Sequence, residues 1–174
     1  MIKESLQEAI NEQIVREMYS SNLYLSMAAY YATANLNGFS NWMRVQAEEE
    51  LIHALKFFDY VINRNGKVSL GTIPAPEIKW DNAIKPFEDA YEHEQKITGW
   101  INELLDLAYR EKDYAAISFL NWFIDEQVEE EKNTSEILDR LHLAGESKAS
   151  LFLLDNELKT RTVSPAATSS SATN

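Results

Sequence analysis

Glu17, Glu50, His53, Glu94 and Glu130 occupy positions where a helical bundle calls for apolar side chains. Gln127 joins them, one turn before Glu130. Glu50-Leu-Ile-His53 sets a carboxylate and an imidazole one turn apart on one helix face. Gln127-Val-Glu-Glu130 repeats the spacing with a neutral amide in place of one ionisable group. A buried carboxylate without a counter-charge costs several kcal/mol. Such carboxylates, together with an imidazole in one core, call for cations between them, and a pair of metal ions meets that need. Oxygen ligands with one imidazole suit a hard or borderline ion such as iron, manganese or zinc. One ion would take Glu17, Glu50 and His53. The other would take Glu94 and Glu130, with Glu50 bridging and Gln127 offering only its amide. Lacking an imidazole, this second ion would bind more weakly. The metal-free alternative is a polar layer that only sets helix register.

A second acidic group, Glu49, Glu126 and Glu129, flanks the first. Any one of them reads as an ordinary charged helix face, but together they offer a place for a third metal. Tyr24 lies two turns from Glu17 on the same stripe. It reads equally as core or as a group that hydrogen-bonds or donates an electron to the site. Trp122 reads as packing. His93 points off the seam and His142 lies near a helix end, so neither is assigned to the site.

The elements that must position these groups follow from seams spaced alternately three and four residues apart. The first segment, about 4–34, carries Ile10, Ile14, Glu17, Ser21, Tyr24, Ala28 and Tyr31. The second, about 39–65, carries Phe39, Met43, Gln46, Glu50, His53, Phe57 and Tyr60. The third, about 82–110, carries Phe87, Ala90, Glu94, Ile97, Ile101, Leu104 and Ala108. The fourth, about 113–144, carries Ala116, Leu120, Phe123, Gln127, Glu130, Thr134, Ile137 and Leu141. Asn35-Leu-Asn-Gly38 is a short link whose Gly can take φ > 0, so the first two helices run antiparallel. Arg110-Glu-Lys-Asp113 does the same for the last two. The link from Gly66 to Asp81 is long and holds Gly71, Pro74 and Pro76. Extended, it reaches roughly 50 Å, against about 40 Å for a helix of about 27 residues. It can cross the whole bundle and leave the second and third helices parallel. The fold class is all-α: a four-helix bundle with one long crossover, the ferritin-like pattern. Asp81 is a candidate N-cap for the third helix, although Pro86 suits a first-turn position. A short fifth helix, Ser147 to Lys159, has Leu151, Leu154 and Leu158 on one face and must pack on something, such as a neighbouring subunit. The expected domain is 1–160, followed by a Ser/Thr/Ala-rich, flexible tail over 161–174.

Bulk composition is consistent with this. The chain has 174 residues, 45% hydrophobic and 25% charged, enough for one domain with a sizeable core. It has no cysteine, which excludes disulfides, iron–sulfur clusters and thiolate zinc sites. Its formal net charge of −12 offers no basic stripe, so nucleic acid is not an expected partner. An acidic shell attracts metal cations instead. No run approaches the ~18 apolar residues of a membrane span, and the N-terminus has no signal-type apolar run. The expectation is a cytoplasmic protein with no membrane partner.

With these residues in place, the sequence resembles the bacterial non-haem ferritins over about 1–160. The resemblance rests on Glu17, Tyr24, Ala47-Glu-Glu-Glu-Leu-Ile-His53, Glu92-His-Glu-Gln95 and Asn121-Trp-Phe-Ile-Asp-Glu-Gln-Val-Glu-Glu-Glu131. It implies a 24-subunit homo-oligomeric shell, oxidation of iron(II) by O2 or H2O2 at a di-iron centre, and storage of iron(III) mineral. It also implies that Glu49, Glu126 and Glu129 form a third iron site. The haem-binding relatives place a methionine after the helix-two Glu, where this chain has Leu51, and a His where it has Glu130, so haem is not expected. A di-iron oxidase or peroxidase acting on a small organic substrate is the alternative. That class usually keeps two E-x-x-H motifs.

Overall fold

The computed structural model describes residues 1–145 and 147–164. It contains α1 (Glu4–Thr33), α2 (Asn37–Asn63), α3 (Lys85–Glu111), α4 (Tyr114–Ala144) and α5 (Lys148–Leu158). No strand occurs among the described residues, and no helix there is long and apolar enough to cross a membrane. The seams expected from spacing are the buried faces of α1 to α4, with Tyr60 alone half-buried.

The core is two apolar clusters separated by a polar layer. One joins the second half of α1 (Leu23 to Tyr31), the first half of α2 (Phe39 to Ala47), Phe87 and Ala90 of α3, Ile137 and Leu141 of α4, and Leu154 and Leu158 of α5. The other joins the first half of α1 (Leu6 to Ile14), the end of α2 (Ala54 to Val61), Ile97 to Ala108 of α3 and Ala116 to Phe123 of α4. The start of α1 thus meets the end of α2, whereas α2 and α3 begin at the same end of the bundle. The up-down pair, long crossover and second up-down pair are those expected.

The crossover is tied along the length of α1. Gln7 Oε1 accepts from the Lys67 N–H at 2.7 Å, and Asn11 Nδ2 donates to Lys67 O at 3.0 Å. Farther up, Ser26 Oγ donates to Glu77 O at 2.5 Å and Tyr31 Oη to Ala83 O at 2.7 Å. Trp80 plugs the upper cluster and donates to Asp89 at 2.9 Å. The crossover runs later than expected: α3 starts at Lys85, with Pro86 in its first turn. Asp81 does not cap it. Asn82 Oδ1 receives the Ile84 and Lys85 N–H groups at 2.9 and 3.0 Å, and Pro86 tolerates only the beginning of a helix. At the opposite end, Arg64, the C-cap of α2, grips Asp113, the N-cap of α4, with two bonds of 3.1 and 2.9 Å.

Gly38 plays a different part from the one expected. The left-handed residue of the first link is Asn35, with φ 60°, a conformation that Asn tolerates. Gly38 instead lets α5 approach the start of α2. Asp155, 4% exposed, accepts the Gly38 and Phe39 N–H groups at 2.6 and 3.2 Å. It caps a helix that has no side-chain cap of its own. A Cβ at Gly38 would fall 1.6 Å from the Asp155 carbonyl oxygen. The apolar face of α5 therefore packs on its own bundle through Leu154 and Leu158, while Phe152 and Leu153 face outward. Of the expected tail, residues 161–164 are described, whereas 165–174 lie outside the described residues.

Gly38→Ala should destabilise the protein by about 1–3 kcal/mol through overpacking, and Asp155→Ala by about 1 kcal/mol through loss of the cap. Thermal unfolding checks both. Because the two changes act at one contact, the double variant should lose less than the sum.

Candidate metal centre

The polar layer lies between the two apolar clusters, one helical turn deep. Glu17, Glu50, His53 and Glu94 are each 1% exposed and Glu130 is 3% exposed. Helix periodicity explains the convergence, because every one of these residues takes a seam position. Glu17, Glu50 and His53 offer ligand atoms within 4.8 Å of one another, as do His53, Glu126 and Glu130. His53 Nδ1 lies 3.5 Å from Glu50 Oε2, and Nε2 lies 3.9 Å from Glu126 Oε1. Within this layer two buried atoms have no hydrogen-bond partner, Glu17 Oε2 and His53 Nε2. A carboxylate oxygen and a ring nitrogen left bare inside a core are costly. Both are metal-ligating atoms, and the donor set of hard oxygens plus one imidazole fits a divalent transition ion.

Glu94 sits differently from the other ring members. The Tyr24 hydroxyl donates to its Oε1, and Gln127 Nε2 lies 3.3 Å from its Oε2. Gln127 also reaches Thr98 Oγ1 at 3.3 Å, and Thr98 donates to Glu131 at 2.5 Å. This chain of polar groups leads to a cleft of about 240 Å³ between α3 and α4, lined by Thr98, Asn102, Gln127 and Glu131 together with the apolar Ile101, Ile124 and Val128. Tyr24 is fully buried, and its pKa is pushed well up by burial and by Glu94, so it stays a neutral donor. Trp122 packs edge-on against the His53 ring with centroids 5.5 Å apart.

The electrostatics describe a ring that shares protons. Burial, then the Glu50 charge, pushes Glu17 up to about 8. The same two causes push Glu130 up to about 8. Glu94 is raised well above the carboxylate range by burial and by Glu50 and Glu130. Burial alone would lower His53. The adjacent Glu50, with Glu17 and Glu130, outweighs it and raises the imidazole to about 10. Glu50 is lowered despite burial because His53 faces it.

The second acidic group is only partly assembled. Glu49 and Glu126 are buried and Glu129 is exposed. Glu126 joins His53 and Glu130, and burial followed by its charged neighbours, Glu129 and Glu49 among them, raises its pKa. Both oxygens of Glu49 are taken, Oε2 by Arg161 at 2.5 Å and Oε1 by the Ser164 N–H at 2.7 Å.

Four groups beside the ring were not assigned to the site from the sequence, although Gln46 lay on its seam and His93 was considered. Gln13 Nε2 donates to Glu17 Oε1 at 2.8 Å. Gln46 Nε2 donates to Glu130 Oε2 at 2.7 Å and to Glu50 Oε1 at 3.1 Å. Gln13 precedes Glu17, and Gln46 precedes Glu50, by one turn of four residues, a repeated Q-x-x-x-E spacing that could have revealed them. His93 is not on an outer face. It is buried between α1 and α3, with Nε2 2.8 Å from Ser20 Oγ and its ring edge-on to Tyr19 and Tyr24. Burial lowers its pKa. Arg161 gives no local signal, being brought in only by the turn after α5. His142 is exposed.

Comparison with known proteins agrees with this architecture. Residues 7–144 match the ferritin-like domain family. The chain belongs to the ferritin-like family. The bacterial non-heme ferritin of Bacteroides fragilis is 42% identical over 161 residues, covering 92% of this chain and 100% of the relative. That of Staphylococcus saprophyticus is 40% identical over 161 residues, covering 92% and 96%. Among solved ferritins, the open-pore ferritin of the archaeon Archaeoglobus fulgidus superposes with a TM-score of 0.92 at 49% identity, over 93% of this chain and 100% of that one. Its engineered closed form gives 0.93 at 48% identity, over 94% and 100%.

Proton linkage gives a signed expectation for this ferritin-like ring. Glu17 and Glu130 keep protons in the folded state up to about 8, against 4.5 ordinarily. His53 keeps its proton up to about 10, against 6.5. The folded metal-free state therefore holds more protons than the unfolded chain across this range, and its stability falls as pH rises. The thermal midpoint of the apoprotein should drop from pH 6 to pH 9, and less steeply in Glu17→Gln. Saturating zinc should flatten the drop, because metal binding displaces those protons.

Proposed function

We propose that this protein stores iron and oxidises iron(II) at the buried ring, as a ferroxidase within a closed shell. The observation that carries the reading is the pair of bare, buried ligand atoms, Glu17 Oε2 and His53 Nε2, inside a layer of carboxylates. The family and the non-heme ferritin relatives support iron as the cargo.

Iron(II) is the substrate. Glu17, Glu50 and His53 hold one ion; Glu94 and Glu130 hold the other, with Glu50 between them. Gln13 and Gln46 fix the Glu17, Glu50 and Glu130 carboxylates by hydrogen bonds, which sets the ligand lone pairs before an ion arrives. Tyr24 and Gln127 hold Glu94 in the same way. Entry of two dications releases the shared protons of the ring. Two iron(II) ions give up one electron each. With O2 as oxidant, these two electrons and two protons from the ring and solvent yield H2O2; with H2O2 as oxidant, they yield water. The second ion lacks an imidazole, is held less tightly, and leaves for the mineral. Substrate oxidases of this class usually keep a second E-x-x-H, and this chain has Gln127-Val-Glu-Glu130 in its place, which favours storage over a substrate oxidase. The shell is a 24-subunit homo-oligomer and the setting is cytoplasmic; the ferritin neighbours support a multimeric shell as such.

Aerobic iron(II) titration of the apoprotein, followed by iron(III)-oxo absorbance and by size-exclusion mass, tests the proposal. A fast phase at about two irons per chain, the capacity of the paired ligand sets, should pass into a soluble, iron-loaded shell. Glu130→Ala should slow the fast phase by about tenfold or more. Fast oxidation that stops there in a small oligomer would point to a substrate oxidase.

A further inference from the structure

The chain leaving α5 runs back along one face of α2. Asn41 Nδ2 donates to Arg161 O at 3.1 Å and to Leu158 O at 3.2 Å. The Arg161 guanidinium lies 4.1 Å over the Trp42 ring and donates to Trp42 O at 3.1 Å. It also donates to Gln46 Oε1 at 2.7 Å and to Glu49 Oε2 at 2.5 Å. Trp42, Gln46 and Glu49 are successive turns of α2 on one side. Ser164 closes the segment by donating its N–H to the other Glu49 oxygen at 2.7 Å. Glu49 is 3% exposed, so its charge is met almost wholly by this segment.

We propose that residues 161–164 form a latch in which Arg161 is a tethered cation that competes with a third metal ion for Glu49. This rests on the reading of Glu49 and Glu126 as a third-ion site beside the paired centre. This site adjoins the paired centre: Glu126 Oε1 lies 3.9 Å from His53 Nε2, and His53, Glu126 and Glu130 offer ligand atoms within 4.8 Å of one another. A dication at Glu49 would meet the guanidinium charge at close range, and Coulomb repulsion at partial burial disfavours holding both. The third ion therefore binds only when the latch lifts. The latch reaches further through Gln46. Arg161 fixes the amide oxygen of Gln46, which turns its NH2 group toward Glu130 and Glu50.

Zinc, a redox-inert probe, tests this by calorimetric titration of the assembled full-length protein, wild type against Arg161→Ala and Arg161→Lys. The wild type should show two tight ions per chain and a weaker third class. Arg161→Ala should tighten the third class by about tenfold or more, the size of one charge-assisted hydrogen bond. Arg161→Lys, which keeps the charge, should tighten it less. In the Arg161→Ala background, Glu49→Gln should remove the gain. A third class equally strong in wild type and Arg161→Ala, yet weakened by Glu126→Gln, would overturn the latch and leave the third site standing. Two tight ions with no third class in any variant would overturn the third-site reading and the latch with it. Absence of tight zinc from all of them would overturn the proposed centre itself.

Discussion

Burying several like-charged carboxylates at one depth is the constraint on which the rest of this structure depends. Without cations, Glu17, Glu94 and Glu130 keep protons far above the usual carboxylate range, and His53 is held protonated by its neighbours. Such a layer gains nothing from hydrophobic burial and must be held together by what surrounds it. The apolar clusters above and below do this, each drawing on all of the long helices. They fix the helices in register, and register puts the carboxylate and imidazole atoms of neighbouring turns within reach of each other.

The same division explains the ends of the molecule. One end is closed by Arg64 gripping the cap of α4, and the other by Asp155 of α5 capping α2. The long crossover lies along α1 and lets α2 and α3 start together, so that Glu50 and Glu94 arrive at one level. Around the ring, hydrogen-bond donors of neutral type, Gln13, Gln46, Gln127 and Tyr24, orient the carboxylates without adding charge. Positive charge comes from His53 within the ring and from Arg161 at its edge.

The seams of all four long helices, and with them the ring, were legible in the sequence because periodicity is a local property that side-chain burial enforces. Tyr60, half-buried, marks where the seam meets solvent near the helix end. Groups that act across long sequence separations were not legible. Asp155 caps a helix that starts more than a hundred positions earlier, and Gly38 matters because of that approach rather than for a turn. Asp81 looked like a cap, but Asn82 and Pro86 move the helix start to Lys85. His93 stood off the seam by spacing, and the α1–α3 contact buries it against Ser20. Arg161 sat in what read as a tail.

Anomalous-scattering crystallography of the protein soaked anaerobically with iron(II) tests the central claim most directly. Two iron peaks per chain should appear inside the bundle, one against Glu17, Glu50 and His53, the other against Glu50, Glu94 and Glu130. A ring that stays free of iron while ions collect on the acidic surface would contradict the account and leave the layer as a proton-sharing core.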